Sequence, residues 1–162
     1  MYKQQKLDTI TSPTKTLRKG VFRISNTPFK KLMYLYMGTS DFESDFRYYQ
    51  SVLGGKLHWA FEQFGAKVAA FELGEGPLLL IADHLNAPSC MPIFEINDLS
   101  AKVKELKNRG WQEEKGPIEI PNGPCYIFKD TSGNSFGIFE NIRPTAADDS
   151  YRDKSNKYKL QG

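Results

Sequence analysis

Two imidazoles, two thiols and a few carboxylates on strand-like runs define the chemistry open to this chain. His58 and His84 are its only histidines, and Cys90 and Cys125 its only cysteines. None of them has the paired spacing of a zinc or iron site. His58 lies beside Trp59 in a strand-like run, where it would either reach a bound ligand as an acid or base or sit at a rim. His84 follows Asp83, whose carboxylate would orient the imidazole or stabilise a turn. Glu95 shares one face of its strand with Met91 and Ile93, since side chains two apart point the same way. A partly buried acid there would serve as a base or bind an amine, and at a sheet end it would pair with a lysine. Cys90 and Cys125 have no adjacent base and read as small hydrophobes rather than nucleophiles.

The elements that position these groups are written twice. Asp41, Phe42, Phe46 and Tyr49 recur 57 residues later as Asp98, Leu99, Val103 and Leu106. Met37, Phe71, Gly76, Leu79 and Ile81 recur at the same offset as Phe94, Phe128, Gly133, Phe136 and Ile138. A repeat of this length duplicates a whole supersecondary unit. The first copy reads as a strand from Lys31 to Gly38, then a helix to about Leu53 that opens on Ser40 with Glu43 as a capping box. Strands follow at Lys56 to Phe61, Lys67 to Leu73 and Pro77 to Ala82. In the second copy a strand from Cys90 to Ile96 leads into a helix with the stripe Leu99, Val103 and Leu106, closed by Gly110. Short strands at Trp111 to Glu113, Ile118 to Ile120, Cys125 to Lys129 and Asn134 to Glu140 complete it. Each copy is therefore βαβββ, with modules at 31–83 and 90–144.

Composition limits the setting. Forty per cent of the residues are hydrophobic, 13% are aromatic and the net charge is +3, as in a globular domain. The first thirty-one residues hold eight lysines and arginines against the single Asp8, so the basic character belongs to an N-terminal arm over 1–30. A charged tail over 145–162 should pack only locally. The two cysteines suit a reducing compartment, which makes the cytoplasm the expected location. No apolar run reaches membrane-spanning length, and the acidic balance beyond the arm gives no basic sheet face for nucleic acid.

The chain resembles the vicinal oxygen chelate superfamily of glyoxalase I, bleomycin-resistance proteins and extradiol dioxygenases. The resemblance spans about Lys31 to Pro144. It rests on Thr39, Ser40, Asp41 and Phe42 with Tyr48 and Tyr49 ahead of Leu53 and Gly54, on Ile96 to Leu99, and on the turn Asp130 to Asn134. Leu80 to Pro92 and Pro121 to Tyr126 look like a bacterial subgroup. The resemblance implies an α+β fold in which two tandem βαβββ modules form a U-shaped, barrel-like mixed sheet with helices outside, and a homodimer as the assembly to expect. It also places the family's divalent metal at Tyr34, Leu80, Met91 and Gly137. Leucine and glycine offer no donor, so the reading is of no metal and no cofactor.

With that face as the cleft, alternation adds Tyr36 beside Tyr34 and Phe139 beside Gly137. Of Trp59, Phe61, Trp111, Tyr126 and Phe128, at least two should line it, and Trp59, Tyr126 and Phe128 join the expected ligand contacts. The glycine at 137 should leave working volume. The function expected is metal-free binding of a small apolar or aromatic molecule between the modules. Two rivals stand beside it: a lyase, isomerase or hydrolase with acid–base chemistry at Glu95, His58 or Tyr34, and an interaction domain with a vestigial cleft.

Overall fold

A computed structural model describes residues 27–63, 65–152 and 156–158. Most of the expected N-terminal arm, and Leu160 in the tail, lie outside these residues. The elements are β1 (Phe29–Gly38), α1 (Phe42–Arg47), β2 (Lys56–Gln63), β3 (Ala66–Glu72), β4 (Leu78–Ala82), β5 (Cys90–Ile96), α2 (Leu99–Asn108), β6 (Glu113–Ile120), β7 (Gly123–Lys129), β8 (Ser135–Phe139) and α3 (Ala146–Arg152).

The eight strands form one sheet in the order β2-β3-β4-β1-β5-β8-β7-β6. This order is a palindrome of the repeat, with its centre at the antiparallel seam between β1 and β5. Register follows the duplication. Tyr36 pairs with Leu80 across β1 and β4, and Ile93 pairs with Gly137 across β5 and β8, each 57 residues on. Both of these pairings are parallel, as a βαβββ crossover requires.

The helices cover the convex face. Phe42 of α1 is buried against Ala60, Ala69, Phe71 and Ile81 of the sheet, with Phe46 and Tyr49 packed against them. Leu99 and Val103 of α2 are buried against Ile96 and Ile138, with Phe94, Leu106 and Trp111 alongside. Val103 is buried, while its repeat counterpart Phe46 is half-buried between Phe42 and Phe71.

Several local expectations need correction. The first strand begins at Phe29 rather than Lys31, because Phe29 pairs with Ile96 and packs on the Phe94 ring at 4.9 Å. The N-cap of α1 is Asp41, whose carboxylate accepts from Ser44 N at 3.0 Å, and Ser40 is exposed. The helix then widens into a π-helical turn over Tyr48–Val52. Trp111 precedes β6, which runs unbroken from Glu113 to Ile120.

The tail departs furthest from expectation. Ala146–Arg152 is helical and lies across the mouth of the U against β2. Ala147 is buried there and Tyr151 packs beside it. Asn156 Nδ2 donates to Ala60 O at 2.7 Å, and the Tyr158 ring packs edge-on to Phe42 and tilted against Phe46 on the convex side. The C-terminal segment thus passes from the concave face over the β2 edge to the helix layer.

Candidate functional site

The central strands β4, β1 and β5 turn alternate side chains into the U. Tyr34, Trp59, Phe61, Val68, Leu80, Ile93, Cys125 and Phe139 form one concave cluster with Ala147. Trp59 and Phe61 stand two apart on β2 with stacked rings 5.2 Å apart, and Tyr34 stacks on Phe139 at 5.8 Å. Between them is a cavity of about 110 Å³, walled by Tyr34, Tyr36, Trp59, Phe61, Leu80 and Ile93. Its roof is Asn122 and Ala147. Asn122 Nδ2 donates to Arg143 O at 3.1 Å, and Arg143 Nε donates to Pro121 O at 2.9 Å. These bonds latch the start of the C-terminal segment onto the β6–β7 turn and set α3 over the cleft.

Two phenols face this apolar space. Burial, with the carboxylates of Asp148 and Glu95 adding to it, pushes the Tyr34 hydroxyl up to about 12. Burial also drives Tyr36 well above its ordinary value, with Asp83 and the Cys125 thiol contributing. Both are neutral phenols at physiological pH. The Tyr36 hydroxyl lies 3.1 Å from His84 Nε2. Burial holds the His84 imidazole below its usual value, Asp83 opposes this shift and Lys115 adds to it. A neutral imidazole in the tautomer with Nε2 unprotonated accepts a hydrogen bond from the Tyr36 hydroxyl.

Beyond the β1/β5 seam the second module leaves an open depression of about 700 Å³. Met91 and Ile127 lie in its lining, and the linker Leu85, Asn86 and Ser89 borders it. That linker lies against β1 where only glycine fits: a Cβ on Gly38 would come within 2.3 Å of Asn86 O. Gly38 N also donates to Ser89 Oγ at 3.2 Å.

Of the residues expected to contact a ligand, Tyr34, Tyr36, Trp59 and Leu80 meet around the cavity, and Phe139 lies beneath Tyr34. Met91 borders the depression instead. Tyr126 and Phe128 are corrections. Their register partners Ile138 and Phe136 put them on the convex face, where the Trp111 ring stands edge-on to both. Trp59 and Phe61 are therefore the two cleft aromatics of the five considered. Gly137 gives no free volume, because a Cβ there would meet Ile93 Cγ1 at 3.0 Å.

Two of the three acid–base candidates, Glu95 and His58, are already engaged. Glu95 accepts from Lys30 Nζ at 2.7 Å with its side chain mostly covered, as a rim acid paired with a lysine. His58 is 2.7 Å from Glu72 Oε2, and that contact, with Lys56 nearby, holds the Glu72 carboxyl below its ordinary value. The Tyr36–His84 contact was not anticipated. Its only trace in the sequence is that Tyr36 lies near the end of β1 and His84 two residues beyond the end of its parallel neighbour β4.

The four positions that the resemblance gives to a metal do not fit one. Leu80 brings hydrocarbon, Gly137 is covered by Ile93, Met91 brings a thioether, and Tyr34 is held as a neutral phenol. Among the described residues no group of three histidines, cysteines or carboxylates converges elsewhere. No helix among them is long and apolar enough to cross a membrane.

Among curated proteins none matches the sequence. Solved structures do. A methylmalonyl-CoA epimerase from Mycobacterium tuberculosis superposes with a TM-score of 0.64 at 15% identity, covering 78% of this chain and 97% of that one. A Streptomyces coelicolor methylmalonyl-CoA epimerase in complex with 2-nitronate-propionyl-CoA gives 0.61 at 11% identity, covering 71% and 96%. A hypothetical protein from Bacillus halodurans gives 0.60 at 15% identity, covering 68% and 93%. At these identities the likeness is one of fold. The family model that matches residues 31–138 adds the sequence evidence, and the chain belongs to the Glyoxalase/Bleomycin resistance protein/Dioxygenase superfamily.

Proposed function

We propose that the protein binds a small aromatic or apolar molecule without a metal, in the concave cavity under the C-terminal helix. The observation that carries this reading is the enclosure of a cavity of about 110 Å³ by Trp59, Phe61, Leu80 and two neutral phenols. That volume suits one ring, and an apolar void of this order admits benzene-sized guests. Phenol-like ligands have a hydrogen-bonding partner in Tyr34. Larger ones require α3 to move.

The test uses Trp111→Phe protein, in which Trp59 is the only tryptophan. Titration with p-cresol should change its emission saturably, and Ala147→Phe, which fills the roof, should abolish the change. Elemental analysis of untagged protein should find no stoichiometric zinc, nickel or iron. No spectral response, or one retained in Ala147→Phe, would place binding elsewhere.

A second reading is supported by the Tyr36–His84 contact, a donor–acceptor pair at the cleft that no ion pair occupies. In it the protein is an isomerase, in line with the activity named for its structural neighbours. Deuterium uptake from D2O into 2-substituted acyl thioesters, lost in Tyr36→Phe, would decide for it. Small-molecule binding inside the U, a homodimer, a cytoplasmic location and no role in nucleic-acid or membrane binding complete the proposal.

A further inference from the structure

We infer that the open depression of the second module is an anion-binding site, taking a carboxylate or phosphate on a small apolar body. Lys115 supplies the charge. Among the described residues that border the depression it is the only charged one, and no carboxylate is among them. Asn86, Ser89, Asn134 and Ser135 bring amides and hydroxyls around it, while Met91 and Ile127 give an apolar surface. A cation among neutral donors, with no carboxylate among the described lining residues, favours an oxyanion, and the volume of about 700 Å³ is that of a small-molecule site.

The walls are built in advance of any ligand. Gly38 holds the linker on one side. On the other, Asp130 fixes the β7–β8 turn, accepting from Asn134 N and Asn134 Nδ2 at 2.8 Å each. That bond takes one of the two Asn134 amide hydrogens and fixes the other in place, beside Lys115 and the hydroxyls. The site does not depend on what occupies the aromatic cavity, although Met91 and Tyr36 are register partners across the seam between them.

Cys90 reports on the depression, because it is exposed and borders it, while Cys125 is buried. Iodoacetamide alkylation of Cys90 in the whole protein should be slowed by benzoate and phenyl phosphate but not by benzamide, their neutral analogue. Whichever of the two protects at lower concentration identifies carboxylate or phosphate as the preferred group. Lys115→Met should weaken that protection by about tenfold or more, and Lys115→Arg should keep most of it. Unreactive Cys125 certifies that each variant is folded. Equal protection by benzamide, no protection by either anion, or protection unchanged in Lys115→Met would overturn the inference. Trp59 emission reads the aromatic cavity separately, so the failure of one site does not pass for failure of the other.

Discussion

Ile93 lies over the α-carbon of Gly137: the two are register partners across β5 and β8, and the isoleucine fills the space that a side chain on the glycine would take. Gly137→Leu should therefore strain a packed site and lower stability by about 1–3 kcal/mol. Ile93→Ala in the same chain should recover part of the loss. Urea midpoints of the two single variants and the double variant check this, and an unperturbed Gly137→Leu protein would show open space there after all.

The convex core of the first module should be the least tolerant part of the fold. Phe71 is fully buried, with Tyr49 stacked on it at 5.6 Å and Phe46 edge-on at 5.3 Å. Phe71→Ala should cost about 3–5 kcal/mol. Half-buried Phe46 should cost less, and Val52→Ala, 68% exposed on the π-helical turn, should stay within about 0.5 kcal/mol. Denaturation curves that rank the three differently would put the helix in another register.

Alkali should unfold the protein through its cleft phenols. Tyr34 ionises at about 12 in the fold against 10.0 ordinarily, so between those values the unfolded chain has lost a proton that the folded one keeps. Its contribution is whole below pH 10 and is lost as pH rises through the folded value, about 3 kcal/mol for that shift. Tyr36 acts in the same direction. Stability measured from pH 9 to 12 should fall, and less steeply in Tyr34→Phe. Equal slopes would remove Tyr34 from the account.

The two thiols should differ in kind. Burial pushes the Cys125 thiol up to about 12, whereas Cys90 is exposed. A disulfide reagent at neutral pH should titrate one thiol in the native protein and a second only after unfolding. Two fast thiols would mean that the second module opens readily.

The architecture was legible because duplication doubled every signal: the offset joining Phe42 to Leu99 also joins Ile81 to Ile138, and the strands pair at that offset. Faces were harder to read. Alternation within β8 put Phe139 inside, but nothing local fixes how β7 lies against it, and the pairing of Tyr126 with Ile138 turned two expected ligand contacts outward. The same limit hid Ile93 over Gly137, a cross-strand contact with no trace in either strand alone. The helix over the cleft left little signal, since Ala146 and Ala147 look like filler until a cavity waits for them. Glu95 was readable as a rim acid because its strand end and an upstream lysine were both visible.

The route of the C-terminal segment makes the two copies unequal in the order of synthesis. Asn156 and Ala60, joined by a side-chain bond to the β2 backbone, are 96 residues apart. Tyr158 adds its ring to the Phe42 and Phe46 layer. The first module emerges from the ribosome early but acquires these contacts only after the whole second module has followed. What was duplicated as a unit no longer matures as one, and a nascent chain halted between the copies would present the aromatic cleft and the β2 edge without their cover.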